Sequence, residues 1–152
     1  MSLAPVGQTL FAAAQEVLET MFFSSVYGES VELTPFRGVG ATLCVEGRPS
    51  GRFALIATPG AARIAASNFL GKESEAEVTD VEAEQTMAEL ANMICGDALS
   101  RCGECREANF HLTSPEPIQA LKESWTSGGL RRHYLVDGGA LSVVLILVNE
   151  PQ

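Results

Sequence analysis

Gln85-Thr86-Met87-Ala88-Glu89-Leu90-Ala91-Asn92-Met93-Ile94-Cys95-Gly96 is the stretch on which the reading of this chain turns. At ~100° per residue, the helical period, Met87, Leu90, Ala91, Ile94 and Ala98 fall on one apolar stripe. Such a stripe belongs against a core. The opposite face carries Gln85, Glu89, Asn92 and Gly96. Glu89 and Asn92 are three apart, so their side chains stand next to each other. A glycine inside a helix costs ~1 kcal/mol against alanine. Gly96 also removes the side chain that would hold another molecule's backbone away from the pair. A carboxylate, an amide and a bare patch on one exposed face make a docking and positioning site. The same pattern also fits a solvated polar face with an incidental glycine.

The helix begins at Thr79-Asp80-Val81-Glu82, which reads as a capping box, and runs to about Cys102, with Gly103 at C′. Before it lies an acidic linker, Glu73, Glu75, Glu77 and Asp80, read as a well-solvated connection. Such a patch can also steer a basic partner. Further back, Thr58-Pro59 is a helix start, an N-cap hydroxyl followed by proline at the first position. That helix reaches about Leu70 and stops at Gly71, with Ala62, Ile64, Ala65, Ala66 and Leu70 on its apolar stripe. Val39 to Glu46 and Ser50 to Ala57 alternate with period two and read as strands joined through Gly47-Arg48-Pro49. Val31 to Thr34 reads as an earlier extended segment. Pro5 to Phe23 reads as the first helix, burying Phe11, Ala14, Val17, Leu18, Met21 and Phe22, and ending at Ser24-Ser25 and Gly28.

Beyond the central helix, Ala108 to Thr113 alternates like a strand and Ser114-Pro115-Glu116-Pro117 stops it. Ile118 to Ser124 reads as a short helical turn. Leu130 to Leu135 and Leu141 to Val148 form a final hairpin through Val136-Asp137-Gly138-Gly139. His133 reads as a surface residue on that hairpin. No clear internal repeat is present.

The 152 residues suggest one domain, 1–152, able to bury most of its apolar surface. Hydrophobic content of 46% fits a compact globule. The net charge of −9 argues against nucleic acid and against anionic membranes. No apolar run reaches the ~20 residues needed to span a bilayer. The N-terminus lacks a secretory pattern. The four cysteines then suggest reduced thiols in a cytoplasm.

Cys102-Gly103-Glu104-Cys105 is a CxxC, with Cys95 and His111 nearby in sequence. Three readings compete: structural cysteines, a metal site and a redox pair. A zinc site usually needs two such pairs. A thioredoxin-type pair opens a helix, where the dipole lowers the thiol pKa, whereas this one closes a helix. Structural cysteines are therefore the preferred reading, with no metal assigned. No Ser/His/Asp set, P-loop or dinucleotide fingerprint is present.

Glu89-x-x-Asn92, followed by Met93-Ile94-Cys95-Gly96, resembles the motif of the CheC/CheX/FliY phosphatases of bacterial chemotaxis. The family pattern is Asp or Ser, three residues, Glu, two residues, Asn, then twenty-two residues to a proline. Pro115 stands at that distance from Asn92. Gln85 stands where the family has Asp or Ser. With a single motif, the chain is most similar to CheX-like domains, and the resemblance spans most of its length.

That resemblance implies an α+β fold, two layers, with long helices packed on a mostly antiparallel sheet of about six strands. It implies a phosphatase acting on the phosphoaspartate of a CheY-like response regulator. Glu89 would pair with the receiver's lysine, and Asn92 would orient the attacking water. Gln85, Gly96 and Pro115 would belong to the partner-binding surface. The protein would need no cofactor of its own, because the Mg2+ would sit on the receiver. CheX-like proteins dimerise, and the apolar final strands are expected to pair across a two-fold axis. The alternative is a non-catalytic module of the same fold that binds a receiver or a flagellar-switch partner, which Gln85 favours.

Overall fold

The computed structural model describes residues 4–29, 37–48, 50–102, 109–122 and 129–148. In chain order the elements are α1 (Ala4–Met21), β1 (Val26–Glu29), β2 (Val39–Gly47), β3 (Ser50–Ala57), α2 (Pro59–Leu70), α3 (Asp80–Arg101), β4 (Phe110–Leu112), β5 (Glu116–Ile118), β6 (Leu130–Val136) and β7 (Gly139–Val148). A 3-10 turn, Glu75–Glu77, precedes α3.

The alternating apolar runs of β2, β3 and β7 place one side chain in two toward the helices. Leu43, Val45, Phe53, Leu55, Leu141, Val143 and Leu145 are all buried there. They close a single core with Leu10, Ala14, Val17 and Leu18 of α1 and with the apolar stripe of α3. The strands form one sheet in the order β1-β6-β7-β3-β2-β4, and β5 also pairs with β2. Every pairing is antiparallel. The expected sheet of about six strands is thus a seven-stranded one.

Two strands escaped the sequence reading because each is short and borrows its order from a distant partner. β1 has four residues and contains Gly28, so no alternation announces it. It pairs with β6, and the β6–β7 turn ties it down through Asp137. The Asp137 carboxylate accepts the Ser25 N–H at 3.0 Å and the Tyr27 hydroxyl. β5 lies along β2 with Ile118 opposite Gly40. Ile118 therefore ends a strand and does not start a helical turn. Leu121 follows it onto the outer face of the sheet, against Ala54 and Val144. Pro117 is tolerated because β5 is an edge strand and its missing N–H breaks no ladder. The expected segment Val31 to Thr34 lies outside the described residues, as do Pro49, Gly103 and Cys105.

Helix ends follow the sequence with two adjustments. Gly71 ends α2 at φ 70°, the left-handed conformation that glycine adopts freely. Thr58, expected to cap α2 with its hydroxyl, makes no such bond. Its hydroxyl instead accepts the Ala140 N–H at 3.1 Å, fastening β7 to the head of α2. A Cβ on Gly139 would fall 2.0 Å from that hydroxyl, so the position requires glycine. At the end of α1, Phe23 takes φ 49° and turns the chain outward. Met21, assigned to the core stripe, is 45% exposed because α1 ends there. Leu70 likewise emerges at the end of α2.

The final hairpin forms with Asp137-Gly138 as its turn. β7 has a ladder on both sides, whereas β1 covers β6 only along Tyr134–Val136. β6 lies between β1 and β7, and β7 lies between β6 and β3. For pairing across a two-fold axis the final strands therefore have, among the described residues, only the Leu130–His133 stretch of β6 that β1 does not cover. His133 is half-buried, not a surface residue, and its Nδ1 meets the Ser142 hydroxyl at 2.7 Å.

Two predictions arise from these contacts. The Glu82 carboxylate accepts the Thr79 N–H and faces Lys72, and both hold it below the ordinary glutamate range. A depressed pKa stabilises above the unfolded value and is lost as pH falls through the folded one. Glu82→Gln keeps the capping hydrogen bond but loses the charge. Its deficit in denaturant midpoint should be present near pH ~7 and vanish near pH ~3. Separately, Tyr134 is fully buried, edge-on to Phe11, with its hydroxyl lacking a partner among the described residues. Burial raises its pKa, so the hydroxyl stays protonated. Leaving it unmade costs ~1–3 kcal/mol, so Tyr134→Phe should raise Tm, read by calorimetry.

Candidate functional site

The helix that carries the site is held at both ends. At its head, Thr79 Oγ1 accepts the Glu82 N–H at 3.1 Å and Glu82 Oε1 accepts the Thr79 N–H at 3.0 Å, completing the capping box. Asp80 pairs with Arg63 of α2, and Lys72 pairs with Glu82 at 3.2 Å. At its foot, Arg101 pairs with Glu16 of α1 and with Asp97. Between them, Met87, Leu90, Ala91, Ile94 and Ala98 are no more than 1% exposed. This burial fixes the rotation of α3 about its own axis.

The opposite face follows from that rotation. Gln85, Glu89 and Asn92 are all exposed. Among the described residues, no hydrogen bond or ion pair engages Glu89 or Asn92. The pair is therefore directed at solvent and available to a visitor, as the sequence spacing required.

Gly96 is half-buried, so the patch beside the pair is less open than the sequence suggested. The Leu112 side chain of β4 reaches this flank of α3. A Cβ on Gly96 would meet only Leu112 Cδ1, at 3.7 Å, which is an ordinary contact. The packing of this chain does not demand a glycine there. Pro115 stands half-buried between β4 and β5. Thr113 locks that link to β2, its N–H donating to Cys44 O at 2.9 Å and its hydroxyl accepting the Cys44 N–H at 2.8 Å. Pro115 thus belongs to the rim formed by the edge strands, and Gln85, Glu89 and Asn92 belong to the helix face.

Sequence reasoning passed over Val81, which it absorbed into the capping box. Val81 is 59% exposed and stands one turn before Gln85 on the same strip. The signal was present as an apolar residue four positions before Gln85.

Glu89 and Asn92 stand on the convex surface of a helix. A groove of about 350 Å³ flanks the first two turns of α3, lined by Arg37, Arg63, Asp80, Glu84 and Gln119 among others, but not by Glu89 or Asn92. Small ligands need concave sites. An acid and an amide on a convex face act only when a partner supplies the rest of the cavity.

Cys95 and Cys102 are buried thiols, with Cys102 closing α3 through its N–H to Ala98 O at 3.2 Å. Among the described residues no cluster of three or more His, Cys, Asp or Glu side chains is arranged to hold a metal. His111 Nε2 meets Glu46 Oε1 at 2.9 Å on the exposed edge of the sheet. No helix among the described residues is long and apolar enough to cross a membrane.

Helices on one face of an antiparallel sheet, with the polar groups of the longest helix turned outward, define an α+β domain with an exposed acid–amide pair. The chain belongs to the chemotaxis phosphatase CheX family, whose profile it matches over residues 39–134. That span runs from β2 to β6 and includes all of α3. Solved structures agree on the fold. Chemotaxis protein CheX from Vibrio vulnificus superposes with a TM-score of 0.79 at 16% identity, over 97% of this chain and 99% of that one. CheX from Desulfovibrio desulfuricans gives 0.72 at 19% identity, over 94% and 99%. CheX from Borrelia burgdorferi, solved in a complex with CheY, BeF3 and Mg2+, gives 0.66 at 19% identity, over 93% and 97%. A comparison with curated proteins yields no significant match.

The Gly96 geometry generates a test of stability. Gly96→Ala gains helix propensity of ~1 kcal/mol and meets nothing that must move. Its Tm should rise by about 2–4 °C, read by thermal denaturation.

Proposed function

We propose that this protein accelerates hydrolysis of the phosphoaspartate of a CheY-like receiver, using Glu89 and Asn92. The observation that carries this reading is the exposed, unengaged acid–amide pair on a helix whose other face is locked into the core. Family membership and the relative solved with CheY support it.

The chemistry fits the residue types. Asn has no useful pKa, so Asn92 can only donate and accept hydrogen bonds. A carboxylate beside it can pair with a cation or orient a water. Neither suits breaking an inert bond, but an acyl phosphate is already activated. The receiver would supply the phosphoryl group, its Mg2+ and a lysine. Glu89 would pair with that lysine and set the register of the two proteins. The Asn92 amide would then enter the receiver's site and hold a water in line with phosphorus. Catalysis of this kind comes from positioning. A ~100-fold acceleration corresponds to ~2.7 kcal/mol, within reach of one oriented water and one ion pair. Gly96 and Pro115 would leave the receiver's loops room to close over the pair.

A second reading has one observation in its favour. Gln85 places an exposed amide, one turn before Glu89, where the family motif has Asp or Ser. The same surface would then bind a receiver or flagellar-switch partner without accelerating phosphate loss.

The two separate in one experiment. Phosphorylated receiver from the same organism is incubated with wild type, Asn92→Ala and Glu89→Ala, and phosphate release is followed. Wild type should shorten the phosphate lifetime. Asn92→Ala should bind with near-normal affinity but lose the acceleration, by about 100-fold. Glu89→Ala should weaken binding. Binding by wild type with no change in phosphate lifetime would establish the second reading, and equal release from all three proteins would remove the first.

A further inference from the structure

We propose that Val81 is an apolar anchor that extends the docking strip toward the head of α3 and helps select the receiver. The inference rests on the receiver-docking reading above and adds a specificity-determining residue to it.

Val81, Gln85, Asn92 and Gly96 follow one another at helical spacing along a single line of α3, with Glu89 beside it. The two ends of that line differ. Leu99 lies eighteen residues after Val81, five full turns on, and so has the same angular position. Leu99 is 0% exposed, whereas Val81 is 59% exposed. Near the foot, Leu112 of β4 lies beside Gly96. The line is thus covered at its foot and open at its head. A protein that places its phosphoryl site over Glu89 and Asn92 meets open surface toward Val81.

The fold itself does not account for a valine there. Val81 belongs to none of the core clusters. β-Branched side chains are slightly disfavoured in helices. First-turn positions favour acids, and its neighbours Asp80 and Glu82 follow that rule. Val81 stands ~12 Å along the axis from Glu89, well inside a standard interface of ~800 Å² per partner. The occupant is therefore a receiver surface that carries an apolar side chain about two turns of helix away from the lysine that Glu89 meets.

The test uses Val81→Thr, which keeps the shape and adds a hydroxyl, and Val81→Asp, which suits the helix dipole and so preserves the fold. Steady-state dephosphorylation of the phosphorylated receiver is measured with each, and Tm is recorded alongside. KM should rise about threefold for Val81→Thr and about tenfold for Val81→Asp, with kcat held and Tm unchanged. Unchanged KM in both variants, while Asn92→Ala still abolishes acceleration, overturns this inference and leaves the phosphatase reading intact. If Asn92→Ala is as active as wild type, the phosphatase reading falls. Receiver affinity of the Val81 variants, measured by titration, then decides the present inference by itself. A wild type that does not bind the receiver overturns both.

Discussion

Everything in this structure depends on one constraint: α3 has two faces, and only one of them can be buried. Met87, Leu90, Ala91, Ile94 and Ala98 are sealed against the sheet and α1. Each large apolar side chain so buried contributes ~1.5–3 kcal/mol. Turning the helix by one residue would expose several of these and drive Glu89 or Asn92 toward the interior. A carboxylate without a partner there costs several kcal/mol more. The outward direction of the acid–amide pair is therefore a consequence of core packing. The backbone that carries the pair is thus fixed by the core and not by any contact of the pair itself.

The sheet edge supplies the second constraint. β2 would present a long unpaired edge, and β4 and β5 cover it in two short pieces. Short edge strands of this kind offer little template for pairing with another chain. This cover also brings Leu112 of β4 beside Gly96, toward the foot of the polar strip, while Val81 at the head is exposed. The ion pairs around α3 are exposed and individually small. They tie the helix to α2 at its head and to α1 at its foot, and so preserve the direction that the core sets.

The convexity of the site has a functional meaning. Glu89 and Asn92 cannot enclose a small molecule by themselves, so in the proposed reaction selectivity would come from the surface around them and from the cavity of the receiver. Membership of the CheX family is consistent with such a division, in which one protein brings the reactive group and the other brings a helix face. The groove beside the first turns of α3 is lined by both arginines and acids, and two of its members are already paired with each other.

Local patterns in the chain determined a good deal. The periods of α3 and of the β2–β3 hairpin, the capping box, Gly71 and the Asp137-Gly138 turn are all short-range signals, and each holds. The exposure of Glu89 and Asn92 followed from the same period. Tertiary structure decided what short-range signals do not encode. β1 and β5 are strands because β6 and β2 offer them partners, not because their own residues alternate. The Thr58 hydroxyl serves Ala140 because β7 passes it, and the half-burial of Gly96 and His133 reflects neighbours remote in sequence. β7 is internal because the sheet order places it between β6 and β3, and β1 covers β6 only along Tyr134–Val136. Helical period and turn chemistry act over a few residues. Which edge is free, and which end of a face is covered, depends on chain segments brought together only when the sheet closes.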